Sequence, residues 1–279
     1  MGPLTRFSVV VPAWNEEACL GACLDSIASQ DYSGSVEVVV VDNNSTDSTA
    51  EVARAHGARV VFEGEQGVCA ARQAGADAAV GDVVVSTDAD TVFDRAWLSR
   101  IDARLRSDPA LVAVAGPCHW VDAPWWGRAY ERLLFRSVGL LFRITGNIVY
   151  ASATNIAFRK VKWHGYDTTL TQGGDELDLL RRLRSEGPMA WDPDNRTLTS
   201  SRRLRAGLGY NLVVTAGYYY IGGYVLNRVF RRQVLGMAPA FRDTADGEVV
   251  TTPHGAEVRV PAATLLPARH HRDVGKPAA

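Results

Sequence analysis

A chain of 279 residues is long enough to bury a sizeable core, as one large domain or two smaller ones. Its 30 basic and 31 acidic residues leave a formal charge of −1, so no global field favours nucleic acid. Cys19, Cys23, Cys69 and Cys118 lack Cys-x-x-Cys spacing and are not paired with nearby histidines in a metal-ligand pattern, and read as buried free thiols.

Met1 to Arg6 passes into a strand pattern without an apolar leader, which sets the expectation of a cytoplasmic protein. Phe7-Ser-Val-Val-Val-Pro12 is a β-branched run closed by proline, the pattern of a fully buried strand. Asn15-Glu-Glu-Ala then opens a helical pattern with Leu20, Leu24 and Ile27 on one face. Val36 to Val41 is a second buried strand, and Asp42-Asn-Asn-Ser-Thr-Asp47 is a polar turn able to cap a helix through Ala50 to Ala55. Arg59 to Phe62 is a third strand. Gly67 opens an alanine-rich helix suited to close packing, and Asp82 to Ser86 is a fourth strand that runs into Thr87-Asp-Ala-Asp90. Strands and helices alternating at this rhythm predict an α/β fold with a mostly parallel sheet. In such sheets ligands lie beyond the carboxyl ends of the strands. Pro12 to Glu17, Asp42 to Asp47 and Thr87 to Asp90 all fall there.

Two carboxylates as close as Asp88 and Asp90 repel unless solvated or neutralised, and a hard divalent cation neutralises them well. A diphosphate supplies further oxygen ligands, so the pair suits Mg²⁺ or Mn²⁺ bridging a nucleotide diphosphate; the alternative is a solvated helix-capping turn. Asp42 could accept an imide N–H from a pyrimidine base, or simply close its turn. Arg72, one turn into its helix, could reach a base or phosphate, or form a surface ion pair.

Taken together, Val9 to Glu17, Val40 to Thr49, Gly67-Val-Cys-Ala-Ala-Arg72 and Thr87 to Asp90 resemble, in order, the motifs of family 2 glycosyltransferases of the GT-A fold. The resemblance covers roughly residues 7 to 205. It implies that Pro12, Ala13, Trp14, Glu16 and Asp42 surround the nucleoside of a nucleotide-sugar donor, with Arg72 nearby. It also implies that Asp88, Ala89 and Asp90 handle its diphosphate, with Asp88 and Asp90 on the metal. Trp14 stands where the family commonly has a smaller aromatic such as tyrosine. Gly173-Gly-Asp-Glu resembles the family's acidic motif at a helix start, with the usual Glu-Asp order inverted. Glu176 is then the expected general base, with Asp175 the other candidate; as a purely structural alternative, both suit the positive end of a helix dipole. An inverting transfer needs such a base for an acceptor hydroxyl, whereas a phosphate acceptor would not. Ala151 to Arg159 resembles the strand lining the acceptor pocket. Asn155, Trp120, Arg202 and Arg203 are the candidate acceptor contacts; Asn155 could equally meet the donor sugar or make a buried turn contact, and the two arginines could touch the diphosphate or an anionic acceptor, or form a solvated basic turn.

Ala206 to Asn227 carries no charge but is rich in glycine and tyrosine, with arginines on both sides. It reads as an interfacial or re-entrant helix, a buried helix, or a membrane span. Arg128, Arg132, Arg136 and Arg143 form a basic stripe at helical spacing, with Leu133, Leu134, Val138, Leu141 and Phe142 on apolar faces. That helix could lie on anionic lipid at the inner face of the membrane, or pack on the core with its charges solvated. His270 and His271 belong to a tail that reads as disordered, though they could reach back to a metal.

The expected organisation is a nucleotide-sugar-binding half (1–115), an acceptor-binding half of the same domain (116–205), and a hydrophobic helical extension with a tail (206–279). The expected activity is metal-dependent transfer from a nucleotide sugar, most simply a UDP-sugar, to a sugar, lipid or small-molecule hydroxyl. Polyprenyl phosphate is the alternative acceptor. A sugar nucleotidyltransferase is disfavoured because Pro12 to Glu17 holds acids and no base, and an inactive scaffold because Asp88, Asp90 and Glu176 are all present.

Overall fold

A computed structural model of the chain describes residues 4–170, 174–232, 234–235, 247–251 and 257–261. The tail histidines His270 and His271 lie outside the described residues. Strands β1 (Phe7–Ala13), β2 (Val36–Asp42), β3 (Arg59–Phe62) and β4 (Val83–Ser86) alternate with helices α1 (Glu17–Ala28), α2 (Thr49–Ala55) and α3 (Val68–Ala78). The chain continues through β5 (Thr91–Phe93), α4 (Trp97–Ser107), β6 (Ala113–Ala115), β7 (Cys118–Val121), α5 (Trp125–Thr145), β8 (Ile156–Arg159), α6 (Gly174–Glu186), β9 (Met189–Trp191) and β10 (Thr197–Ser200). An antiparallel pair, β11 (Gly247–Thr251) and β12 (Glu257–Pro261), follows.

The main sheet has the order β3-β2-β1-β4-β8-β6-β9. Its first four strands are parallel, and β8 runs antiparallel to both β4 and β6. The fold is therefore α/β with a mostly parallel sheet flanked by helices. Helices cover both faces because β1, β2 and β4 are apolar on both. Val9, Val11 and Val85 pack with Leu20, Leu24, Trp97 and Ile101. Val10, Val39, Val41 and Val84 pack with Ala71, Ala76, Leu179 and Leu183 on the other side. Each such side chain withdrawn from water contributes about 1.5–3 kcal/mol. Gly75 brings α3 down onto this layer, since a Cβ there would lie 2.3 Å from Val10 Cγ1 and 2.9 Å from Val41 Cγ2.

Helix α1 begins at Glu17, later than the pattern from Asn15 predicts. Asn15 has φ +52°, a left-handed conformation that asparagine tolerates, and it turns the chain sharply off β1 instead of entering a helix. All four cysteines are buried free thiols. A second sheet, β5-β10-β7, stands beside the end of β4. Beyond it a continuous helical segment spans 208–230, α-helical at Leu208–Tyr210 and Gly223–Phe230 and π-helical over Asn211–Gly222. Among the described residues no helix is long and apolar enough to cross a membrane, so the spanning alternative for this segment is set aside.

Candidate active site

The three polar loops at the carboxyl ends of β1, β2 and β4 come together. Ala13 lies beside Asp42 in the β1–β2 register, and the Ala13 carbonyl accepts the Asn43 N–H at 2.8 Å. Beyond the strands, the Thr46 N–H donates to Asn15 Oδ1 at 2.8 Å, and the Glu16 N–H donates to Thr49 Oγ1 at 2.8 Å. These bonds stitch the β1 and β2 loops into one wall. Asn43 ties in the third segment: its amide donates to the Glu63 and Glu65 carbonyls, and its Oδ1 accepts the Gly67 N–H at 2.8 Å. That places the start of α3, and hence Arg72, over the end of β4.

Arg72 is buried and fully engaged. It donates to Asp175 Oδ2 at 3.0 Å, Asp88 Oδ1 at 2.6 Å, Ser86 Oγ at 2.6 Å and the Thr87 carbonyl at 3.1 Å. Burial would pull its pKa down, but Asp88 and Asp175 overcome this and hold the guanidinium charged. Asp88 keeps 37% of its side-chain surface open, yet sits at the bottom of a cavity surrounded by protein. That loss of solvent raises its pKa, with Asp90 adding to the rise and Arg72 opposing it.

A second guanidinium repeats the arrangement. Arg202 makes a two-pronged bond to Glu16, at 2.9 and 2.8 Å, and lies 3.1 Å from Asp90 Oδ2. Asp90 also accepts from Thr199 Oγ1 at 3.2 Å. Its acidic partners hold Arg202 well above its ordinary pKa although burial works against them. Each aspartate of Asp88-Ala-Asp90 is thus clamped by an arginine that also holds a carboxylate from elsewhere in the chain.

These groups line a cavity of about 820 Å³. Pro12, Ala13, Trp14, Glu16, Arg72, Asp88, Ala89 and Asp90 lie on its wall, as do Trp120, Asp175, Glu176, Arg202 and Arg203. Asp175 pairs with Arg72 and also lies within hydrogen-bond reach of the Glu176 carboxyl, whose Oε2 is buried with no hydrogen-bond partner. Burial, reinforced by the neighbouring Asp175, pushes the Glu176 carboxyl well above the usual range.

Two predicted residues lie off the cavity wall. Asn155 makes the buried contacts of its alternative reading: its Oδ1 accepts the Trp97 indole N–H at 2.9 Å, and its amide donates to the Pro117 and Asn195 carbonyls. Asp42 stands at the end of β2 but off the cavity wall, where Asn43 takes its place; its Oδ1 accepts the Ser45 N–H at 3.0 Å and closes the turn. Arg202 stands against Glu16 and Asp90, on the side expected for the diphosphate, and Arg203 lines the cavity and bonds the Tyr220 hydroxyl of the 208–230 segment. The local sequence carries no sign of the Thr199 and Ser86 contacts, nor of Tyr150 and Tyr224 on the wall.

The family model described as glycosyl transferase family 2 matches residues 8–163, more than half of the chain. The chain belongs to glycosyl transferase family 2. The match takes in Glu16, Arg72, Asp88 and Asp90 of this glycosyltransferase and stops short of Asp175, Glu176 and Arg202. An uncharacterized glycosyltransferase of Mycobacterium tuberculosis is 41% identical over 126 residues, which are 43% of this chain and 54% of that protein. The chain thus spans about half the length of the curated relatives it matches. Among solved structures, a glucosyl-3-phosphoglycerate synthase from Mycobacterium tuberculosis in complex with Mn²⁺, UDP and glucosyl-3-phosphoglycerate is similar in fold, with TM-score 0.57 and 21% identity over 94% of this chain and 89% of that one. A mannosyltransferase from Pyrobaculum calidifontis in complex with GDP-mannose and Mn²⁺ has TM-score 0.57 and 21% identity, over 81% of this chain and 74% of that one.

Proposed function

We propose that this glycosyltransferase moves a sugar from a UDP-sugar to an acceptor hydroxyl with inversion at the anomeric carbon, Glu176 acting as the base. The observation that carries this reading is the meeting, in one cavity, of the Pro12-Ala13-Trp14 turn, the Asp88-Asp90 pair and an unpartnered buried oxygen of Glu176. Trp14 would stack on the base, and Arg72 and Arg202 keep the aspartates in place. Deprotonated, Glu176 accepts the hydroxyl proton as the acceptor oxygen attacks opposite the leaving diphosphate.

Asp88 and Asp90 are the residues that would hold Mg²⁺ or Mn²⁺. Among the described residues no group of three or more acidic, histidine or cysteine side chains forms a complete shell, so diphosphate oxygens and water must complete it. An all-oxygen set of that kind fits either ion. When bound, such an ion stabilises charge on the departing diphosphate. Both solved neighbours above hold Mn²⁺, one with UDP and one with GDP-mannose, which supports a divalent ion and a nucleotide-sugar donor.

The test is to incubate the chain with Mn²⁺ and a panel of nucleotide sugars and to measure nucleoside diphosphate release. Release from a UDP-sugar that is lost in Asp90→Ala supports the reading. Unchanged activity in Asp90→Ala removes the metal role, and pyrophosphate formed from a nucleoside triphosphate and a sugar phosphate indicates nucleotidyl transfer instead.

A second reading is favoured by the lining away from the aspartates, where Trp126, Leu134, Leu212 and Ile221 stand near Arg203. A polyprenyl phosphate would suit that wall, and its phosphate is already a nucleophile. With such an acceptor Glu176→Gln would keep its activity, which separates the two readings.

A further inference from the structure

The cavity is lined by α5 on one side and the 208–230 segment on the other, and among the described residues both flanks carry exposed apolar side chains. Tyr130, Leu208, Leu212 and Ile221 line the cavity and are also solvent-exposed, Ile221 at 65%, so they form its rim. The exposed apolar surface continues outward from that rim. On α5 it runs through Leu133 (68% exposed), Leu140 and Ile144 (71%) at helical spacing. On the other helix it runs through Val213, Val225 and Val229. An apolar face of this extent is not how a helix packed on the core behaves, and it marks a surface awaiting a partner.

Charge selects the partner. Along the same exposed side of α5 stand Arg128, Arg132, Arg136 and Arg143, and its single acid, Glu131, is turned inward to His119 and the Trp120 N–H. The stretch 206–230 holds no acidic residue, and Arg205 stands before it with Arg231 and Arg232 after it; Arg228 in its last turn is paired to Asp178 at 3.3 Å. This one-signed cluster lies on a chain whose formal charge is only −1. Apolar side chains ringed by arginines match the boundary of an anionic bilayer, where acyl chains receive the former and headgroup phosphates the latter. Tyrosines such as Tyr130 and Tyr218, also exposed here, suit that depth.

We propose that the exposed sides of α5 and of the 208–230 segment form one surface that seats on an anionic lipid bilayer, with the cavity mouth turned toward the lipid. Seating on lipid depends on neither donor binding nor turnover, so its failure and that of the proposed reaction are distinguishable.

The test is co-sedimentation of the full chain with vesicles of phosphatidylcholine alone and of phosphatidylcholine with phosphatidylglycerol. Two variants accompany the wild type, Leu140→Asp with Ile144→Asp and Arg132→Glu with Arg136→Glu. All four positions are exposed and off the cavity wall, and circular dichroism checks that each variant is folded. The expected result is retention on the anionic vesicles, weakened by salt, with at least a tenfold lower partition for either folded variant. A chain that stays in the supernatant, or binds neutral and anionic vesicles equally, overturns the proposal. So does a dimer, seen by analytical ultracentrifugation, that Leu140→Asp with Ile144→Asp dissociates while vesicle binding is absent, because the face then belongs to a second copy. If both variants fail to fold, single substitutions Ile144→Asp and Arg136→Glu carry the same comparison.

Discussion

Arg72 and Arg202 each span two carboxylates, so removing either guanidinium strands acids that are already short of water. Arg202→Ala leaves Glu16 and Asp90 facing each other with side chains 7% and 11% exposed. Breaking a buried pair of this kind costs about 3–5 kcal/mol, measurable as a lower urea midpoint. Glu176→Gln should lower transfer to a hydroxyl acceptor by about 10²- to 10⁴-fold while UDP binding persists, read by diphosphate release and by calorimetry. The same carboxyl sets a pH dependence. Its folded pKa lies above its unfolded one, so it contributes stability at low pH that is lost as pH rises through the folded value. Activity should run the other way, with an acid limb above the ordinary carboxylate range because only ionised Glu176 accepts a proton. Asp175→Asn removes the like charge and should move that limb to lower pH; a limb that stays in place would count against Glu176 as the titrating group.

At the scale of elements, the local sequence is a good guide where burial is two-sided and a poor one where pairing is remote. β1, β2 and β4 are legible because Val9–Val11, Val38–Val41 and Val83–Val85 are β-branched runs that fit only a covered sheet. β6, as Ala113–Ala115, and β10, as Thr197–Ser200, carry no comparable signal; they are strands because β8 and β5 stand beside them. The π-helical geometry of Asn211–Gly222 likewise has no mark in its composition. Gly75 gives a test of the α3–sheet contact. Alanine there would normally favour the helix by about 0.5–1 kcal/mol, but the clash with Val10 should reverse the sign and destabilise by about 1–3 kcal/mol in urea unfolding. A gain in stability would mean that α3 rides higher on the sheet.

Across the whole molecule, the convergence of the Pro12, Asp42 and Asp88 loops is legible in the sequence because they follow strand ends within a stretch of fewer than a hundred residues. The clamps are not, because Arg72 meets Asp175 across 103 positions and Arg202 meets Glu16 across 186. Only the folded chain brings those partners into range, and Asn155 shows the converse: a polar residue in the right neighbourhood is spent on Trp97 and two carbonyls. If donor and ion share the Asp88-Asp90 site, UDP with Mn²⁺ should raise the thermal midpoint more than either alone, by about 2.7 kcal/mol of stabilisation at a hundredfold excess over Kd. An equal shift from UDP without the ion would argue against a shared site.

The position of β8 carries a last consequence. Because it is threaded between β4 and β6, the boundary near residue 115 is not a seam at which the protein can be divided. A fragment ending there would expose the flank of Val83–Val85, a fully apolar strand with open backbone donors and acceptors, and would stick to its own kind rather than fold. The two sides of the sheet are joined there by backbone hydrogen bonds rather than by a linker.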